Sequence, residues 1–168
     1  MPLPESPASL PSTAGLSWYA VPEAVKQWLA IASEHWDEPE VGDRYMDRAL
    51  EQASDCPDVL VSAYRYFFYT HNYPRALQIT DTVLATVSAS HAMPAVWSER
   101  KLFLSQHREE PAIRLYINAY AASGLIRARL GEVDRAKQIA AQVSELENQN
   151  EFGGKVIHDI LNASDEEE

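Results

Sequence analysis

The side chains best suited to chemistry in this chain are five histidines and a single cysteine. A helical metal site needs a second ligand at the spacing of the HExxH or ExxH motif, and no histidine stands in either pattern. We therefore predict no metal site. Cys56 precedes Pro57 at a predicted helix boundary. A nucleophile is conceivable there, but a small packed residue is favoured because free cysteine is commonly buried. The histidines are His35, His71, His91, His107 and His158.

Sequence motifs for phosphate, dinucleotide or acyl chemistry are also missing. The chain contains no GxxxxGK[ST] loop, no GxGxxG fingerprint and no GxSxG elbow. We expect no cofactor and no enzymatic activity. The alternative is a small-molecule or metal-handling enzyme whose site is assembled from residues on distant helices.

The stretch from Asp58 to Leu84 predicts a helical hairpin. Its second arm opens at Pro74, and proline is tolerated in a first helical turn because its missing N–H would be unpaired there anyway. The connection 71–73 is short, so the two arms should pack antiparallel. In the first arm, apolar residues recur at the i, i+3, i+4, i+7 spacing of a core-facing helix: Leu60, Ala63, Tyr64 and Phe67.

This hairpin resembles a tetratricopeptide repeat (TPR), a helix–turn–helix unit of about 34 residues. The first match covers about 57–87, with Leu60, Ala63, Phe67 and Ala76 at family positions and Asn72-Tyr73 at the turn. The second covers about 117–147, with Tyr120, Gly124, Leu130, Gly131 and Ala136. Tyr64 stands where the family often has glycine, which predicts altered packing between the arms. The resemblance implies an all-α fold of antiparallel helical hairpins, stacked as a short solenoid with a C-terminal capping helix.

The same resemblance implies a partner-binding groove lined by side chains of the first helix of each repeat. Arginine and tyrosine are common anchors of protein interfaces. The alternative is that the aromatic rings of this first helix fill the core and that Arg65 and Arg129 pair with acidic neighbours. The carboxylate-clamp pattern of chaperone-tail binders is not matched, because Val61 and Arg65 replace its lysine and asparagine. The groove residues would be Val61, Arg65, Phe68, Tyr69, Asn118, Ala121, Leu125 and Arg129.

The flanking segments divide the chain into three parts. Residues 1–20 are rich in proline and serine and predict a flexible arm, 21–163 form the helical repeat domain, and 164–168 are an acidic tail. Lys155–Leu161 offers apolar residues for the capping helix. Residues 88–110 interrupt the spacing between the two repeat matches. The sequence leaves three alternatives for this segment: a helix stacked with the others, a crossing helix or an ordered loop.

Composition restricts the partners and the location. A chain of 168 residues with 46% hydrophobic residues is long enough to bury a core. The net charge of −11 is concentrated towards both ends and opposes binding to nucleic acid. No signal peptide or membrane-spanning run is predicted, and one cysteine suits a reducing compartment. We expect a cytoplasmic protein with no nucleic-acid or membrane partner.

These patterns favour one function and leave another open. The favoured function is a small protein–protein interaction module, an adaptor or client chaperone that holds a peptide or helix of its partner in the TPR-like groove. The alternative is a structural homodimer that seals exposed aromatic side chains against a second copy. The aromatic residues considered for that interface are Trp18, Tyr66 and Trp97.

Overall fold

The computed structural model describes residues 21–146, and within that range the chain is all-α, as predicted. The described part contains seven helices and no strand. None of these helices is long and apolar enough to cross a membrane. Their bounds are α1 Glu23–Glu34, α2 Pro39–Gln52, α3 Pro57–Tyr69, α4 Tyr73–Ser90, α5 Trp97–Gln106, α6 Pro111–Arg129 and α7 Val133–Leu146.

Proline fixes where several of these helices begin. Pro39, Pro57 and Pro111 each occupy the first helical position, where the ring already has helical φ and no hydrogen bond is lost. At α4, Pro74 follows the first residue, and the side chain of Asn72 caps the helix by accepting the backbone N–H of Arg75 at 3.4 Å. These local signals explain where α2, α3, α4 and α6 begin.

Six helices pair as three hairpins, α1 with α2, α3 with α4, and α6 with α7, while α4 packs along α6. The early part of α6 lies near the end of α4, since Arg100 hydrogen-bonds both Tyr116 and Ser88. The end of α6 lies near the middle of α4, where Arg127 is 3.8 Å from Asp81. Helices α4 and α6 therefore run antiparallel.

The irregular segment between the two predicted repeats contains α5, whose main helix contact is with α7. Arg100 of α5 also bonds to α4 and α6. This places α5 across the ends of its neighbours rather than between α4 and α6, so the crossing-helix alternative for residues 88–110 is the one observed.

The turns of the α3–α4 and α6–α7 hairpins share one hydrogen-bond pattern. Asn72 N–H donates to the Phe67 carbonyl at 2.8 Å, and Glu132 N–H donates to the Arg127 carbonyl at 2.9 Å. The preceding residue in each turn has positive φ, 64° at His71 and 86° at Gly131. Both are helix-ending Schellman turns. The end of α4 shows the same pattern, with Met93 N–H donating to the Ser88 carbonyl at 3.1 Å and a positive φ of 46° at Ala92.

Helix α6 lies at the centre of the core, and every residue from Leu115 to Ile126 is buried. Gly124 permits its close approach to α7, because a Cβ there would lie 2.8 Å from the Ile139 Cγ2 atom. The N-terminal arm 1–20, the capping segment Lys155–Leu161 and the tail 164–168 lie outside the described residues.

Candidate partner-binding site

Most of the side chains predicted to line the groove are buried. On α3, Val61 and Phe68 are buried, whereas Arg65 and Tyr69 are partly exposed. The Arg65 guanidinium lies 5.7 Å from the centre of the Tyr69 ring, a cation–π distance. These two side chains are the part of the predicted α3 surface that a partner can reach.

The predicted α6 residues follow the same trend. Asn118, Ala121 and Leu125 are buried, and Arg129 is exposed. The Oδ1 atom of Asn118 has no hydrogen-bond partner among the described residues, which is costly for a buried polar atom. The predicted set therefore combines core residues with three reachable side chains, and it does not line one open groove.

The aromatic cluster of α3 belongs mainly to the core. Tyr64, Tyr66, Phe67 and Phe68 are all buried, which is the alternative that the sequence left open. Tyr66 is 1% exposed and its hydroxyl donates to Asp43 Oδ1 at 2.8 Å. Burial, followed by this hydrogen bond, raises the pKa of Tyr66. The expectation that Tyr66 is exposed for contact with a second copy is wrong, because four helices, α1, α2, α4 and α6, contact α3.

An open cleft lies elsewhere, between α4 and α7, with α6 as its floor and α5 at one end. Its volume is about 460 Å³. Tyr116 and Tyr120 of α6 form the floor, with ring centres 6.1 Å apart. We call this the Arg–Tyr cleft. Its lining comprises Leu84, Ala85, Ser88, Ala95, Trp97, Arg100, Tyr116, Tyr120, Arg135, Gln138 and Gln142.

Arg100 is held at the end of the cleft by three neutral acceptors. Its Nε donates to the Pro94 carbonyl at 2.7 Å, Nη1 to the Tyr116 hydroxyl at 2.8 Å, and Nη2 to Ser88 Oγ at 3.0 Å. The guanidinium is therefore oriented by side chains from α4 and α6. These contacts provide no negative charge to neutralise it.

Arg135 lies on the opposite wall. Its Nη1 donates to Gln138 Oε1 at 2.7 Å, and its guanidinium lies beside the Tyr120 hydroxyl. That hydroxyl in turn donates to Gln142 Oε1. Burial raises the pKa of Tyr120, with Arg135 acting in the opposite direction. The phenol thus stays neutral near pH 7 and connects the floor of the cleft to its α7 wall.

Trp97 forms part of the cleft rim. Its ring centre is 6.3 Å from that of Tyr120, and its Nε1 donates to Glu145 Oε2 at 2.9 Å. The same Glu145 oxygen lies 3.5 Å from Lys101 Nζ. The carboxylate at this rim is therefore already engaged by neighbours on α5.

The described part of the chain offers little for metal or nucleophilic chemistry. It contains no group of three or more histidine, cysteine, aspartate or glutamate side chains placed to hold a metal ion. His35 Nδ1 lies 3.2 Å from Glu38 Oε1, but this is an isolated, exposed pair. Cys56 packs partly buried against the core.

Sequence reasoning did not identify the cleft. Arg100 lies in the segment that interrupts the repeats, and Arg135 lies on a second helix, whereas the resemblance directs attention to first helices. One available signal was the pair Tyr116 and Tyr120, which are four residues apart and so share a helix face. Whether that face is core or the floor of a cleft depends on the position of α5, and helical periodicity does not specify that position.

Comparison with known proteins found a relative in Azotobacter chroococcum mcd 1, described as an uncharacterized 19.8 kDa protein in the nifW 5′ region. The two chains are 32% identical over 118 residues. The match covers 67% of this chain and 66% of the relative, slightly less than two thirds of the relative's length. No family model matches the chain, and no solved structure matches it significantly.

Proposed function

We propose that this protein is a small interaction module that binds a segment of another protein in the Arg–Tyr cleft. The observation that carries the proposal is the cleft itself, about 460 Å³, with aromatic rings on its floor and an arginine on either side. Aromatic and arginine side chains are the residues most enriched at the centres of protein interfaces. Arg65, Tyr69 and Arg129 remain a second contact surface within the same proposal.

The finer architecture belongs to the proposal as well. Equivalent turns in the α3–α4 and α6–α7 hairpins support a short TPR-like solenoid, with α5 as an insertion that forms one end of the cleft. An adaptor or client chaperone working in the cytoplasm would suit this arrangement. The description of the Azotobacter relative places its gene beside nifW, so the nifW product is a defined candidate partner for testing.

The test is affinity capture with the immobilised full-length chain, from a cytoplasmic extract of the source organism and with purified nifW product. Wild type is compared with Arg100→Gln/Arg135→Gln and with Arg65→Glu/Tyr69→Ala, after circular dichroism has shown equal helicity. We expect a stoichiometric partner to be retained by wild type and lost by the first double variant. Failure of wild type to retain any partner would contradict the interaction-module proposal. Loss in the second variant alone would place binding on α3.

A structural homodimer is the second candidate, and one observation favours it. Val96 and Leu102, at the start of α5 and on it, are 60% and 59% exposed, and exposed apolar side chains favour association. Light scattering over a range of concentrations tests this. A dimer that Leu102→Glu converts to a monomer would support the homodimer, and a constant monomer mass would contradict it.

A further inference from the structure

The Arg–Tyr cleft has charge and hydrogen-bonding capacity that the described chain leaves unused. A guanidinium has five N–H donors, and Arg100 commits one donor from each nitrogen to a neutral acceptor. Two of its N–H groups therefore remain. Within residues 21–146, the hydrogen bonds of Arg100 and Arg135 go to neutral acceptors, while Asp81 of α4 interacts electrostatically with Arg135 and forms its own ion pair with Arg127 at 3.8 Å.

The positions of the two guanidiniums specify what they can bind together. Arg100 Nη1 donates to the Tyr116 hydroxyl, Arg135 lies beside Tyr120 and acts to lower the pKa of that phenol, and the two rings are 6.1 Å apart. Acidic side chains of a partner segment that lies over these rings can therefore reach both guanidiniums.

The neighbouring groups favour a carboxylate-bearing segment over a small dianion. The amides of Gln138 and Gln142 line the same wall and suit a peptide, which brings its own donors and acceptors. The Trp97 ring at the rim offers a flat apolar surface. Guanidiniums bind carboxylates through paired, charge-assisted hydrogen bonds, so the cleft can select acidic residues without a metal ion.

The geometry points to an acidic segment of a partner protein as the ligand of the Arg–Tyr cleft, with its carboxylates bound by Arg100 and Arg135. This inference rests on the proposed interaction function and names the chemistry of the segment that is bound.

The test titrates the full-length ¹⁵N-labelled protein with short, capped, alanine-based helical peptides. One peptide carries glutamate at i and i+4, and a second carries glutamine at the same positions. The Trp97 indole N–H is the reporter, assigned with Trp97→Phe. We expect the i, i+4 glutamate peptide to bind at least about tenfold more tightly than the glutamine peptide, and its binding to weaken as salt is added.

Arg135→Gln is the main variant because Arg135 is exposed and its loss should leave the fold intact. Binding of the i, i+4 glutamate peptide should weaken about tenfold in Arg135→Gln. Arg44→Gln, the same charge change on α2, should leave binding unchanged. Arg100→Lys keeps the charge but loses the planar fork, so it should bind with intermediate affinity. Helicity by circular dichroism controls for misfolding in each variant.

Several results would overturn the inference: equal binding of the glutamate and glutamine peptides, equal weakening by Arg44→Gln and Arg135→Gln, or Trp97 shifts with inorganic phosphate but not with peptide. Failure here is distinguishable from failure of the proposed function. A partner captured equally well by wild type and Arg135→Gln leaves the interaction module standing and removes only its acidic ligand. A wild-type protein that captures no partner contradicts the module itself.

Discussion

The α3–α4 and α6–α7 hairpins place an arginine at the same position, three residues after the turn, and use it differently. Arg75 is 2.5 Å from Asp47 of α2, and its guanidinium lies 4.0 Å from the centre of the Phe67 ring. Arg135 instead donates to Gln138 and lies beside Tyr120, and the carboxylate that it influences, Asp81, is paired with Arg127. Arg75 is therefore paired within the fold, whereas Arg135 faces the cleft.

The helix packed against the first helix of each hairpin explains this difference. Helix α2 presents Asp43 and Asp47 to the α3–α4 hairpin. Helix α4 presents the uncharged side chains Leu84, Ala85 and Ser88 to the cleft, and its Asp81 lies 3.8 Å from Arg127 of α6 while interacting electrostatically with Arg135. The comparison teaches that equivalent hairpins become core or binding surface according to what the neighbouring helix contributes.

The largest expected effect on stability comes from removing a buried aromatic ring from the α3–α4 hairpin. Phe67 is fully buried, edge-on to Tyr66, so Phe67→Ala should lower the free energy of unfolding by about 3–5 kcal/mol. Urea denaturation followed by circular dichroism measures this. Tyr120→Phe on the cleft floor, which keeps the ring, should cost about 1 kcal/mol. Similar losses in the two variants would remove the contrast between closed core and open cleft.

A substitution at Gly42 tests how tightly α2 packs against α3. A Cβ at this position would overlap the Tyr66 hydroxyl oxygen and lie 2.9 Å from the His35 carbonyl oxygen. Gly42→Ala should therefore cost about 1–3 kcal/mol of unfolding free energy. Because the overlap involves the hydroxyl, adding Tyr66→Phe should recover part of the loss, giving non-additive free energies in a double-mutant cycle. Strict additivity would count against this packing contact.

Substitutions at the matching positions of the two hairpin turns should change the free energy of unfolding in opposite directions. His71 has positive φ, whereas Gly131 has the same turn with no side chain. His71→Gly should raise the free energy of unfolding by up to about 1 kcal/mol, and Gly131→Ala should lower it by about 1 kcal/mol. A Cβ added at Gly131 would meet no atom within 4 Å, so this second change measures backbone strain alone. Thermal unfolding of the two variants provides the check.

The smallest expected effect is a dependence on alkaline pH. The pKa of Tyr66 is raised in the folded state, whereas an unfolded tyrosine titrates near pH 10. The unfolded state then releases its proton first, so the stabilisation is complete below about pH 10 and is lost as the pH rises towards the folded pKa. Between about pH 9 and 11, stability should fall less steeply in Tyr66→Phe than in wild type. Equal slopes of unfolding free energy against pH in the two proteins would contradict a raised pKa at Tyr66.

The sequence predicted the helices better than their exposed faces. The helix expected to open at Pro74 is found as Tyr73–Ser90, because proline in a first helical turn and a short connection before it are local signals. Phe68 illustrates the limit. Its periodicity placed it away from the main apolar stripe of α3, but that helix is enclosed on several sides, so more than one stripe is buried.

The candidate site was less predictable for the same reason. Arg100 reaches the cleft through α5, whose crossing position results from tertiary contacts with α4, α6 and α7. No repeat pattern extends across that segment. Arg65 and Tyr69 were correctly placed next to one another, but their role as partner contacts stays a prediction.

The most direct test of binding in the Arg–Tyr cleft is amide hydrogen exchange on the full-length protein with and without its captured partner. We predict that partner binding slows exchange in α5 and in the first turns of α7, around Trp97 and Arg135, and leaves α3 unchanged. Slowed exchange confined to α3, or no change in α5 and α7 when the partner is bound, would contradict a binding site in the cleft.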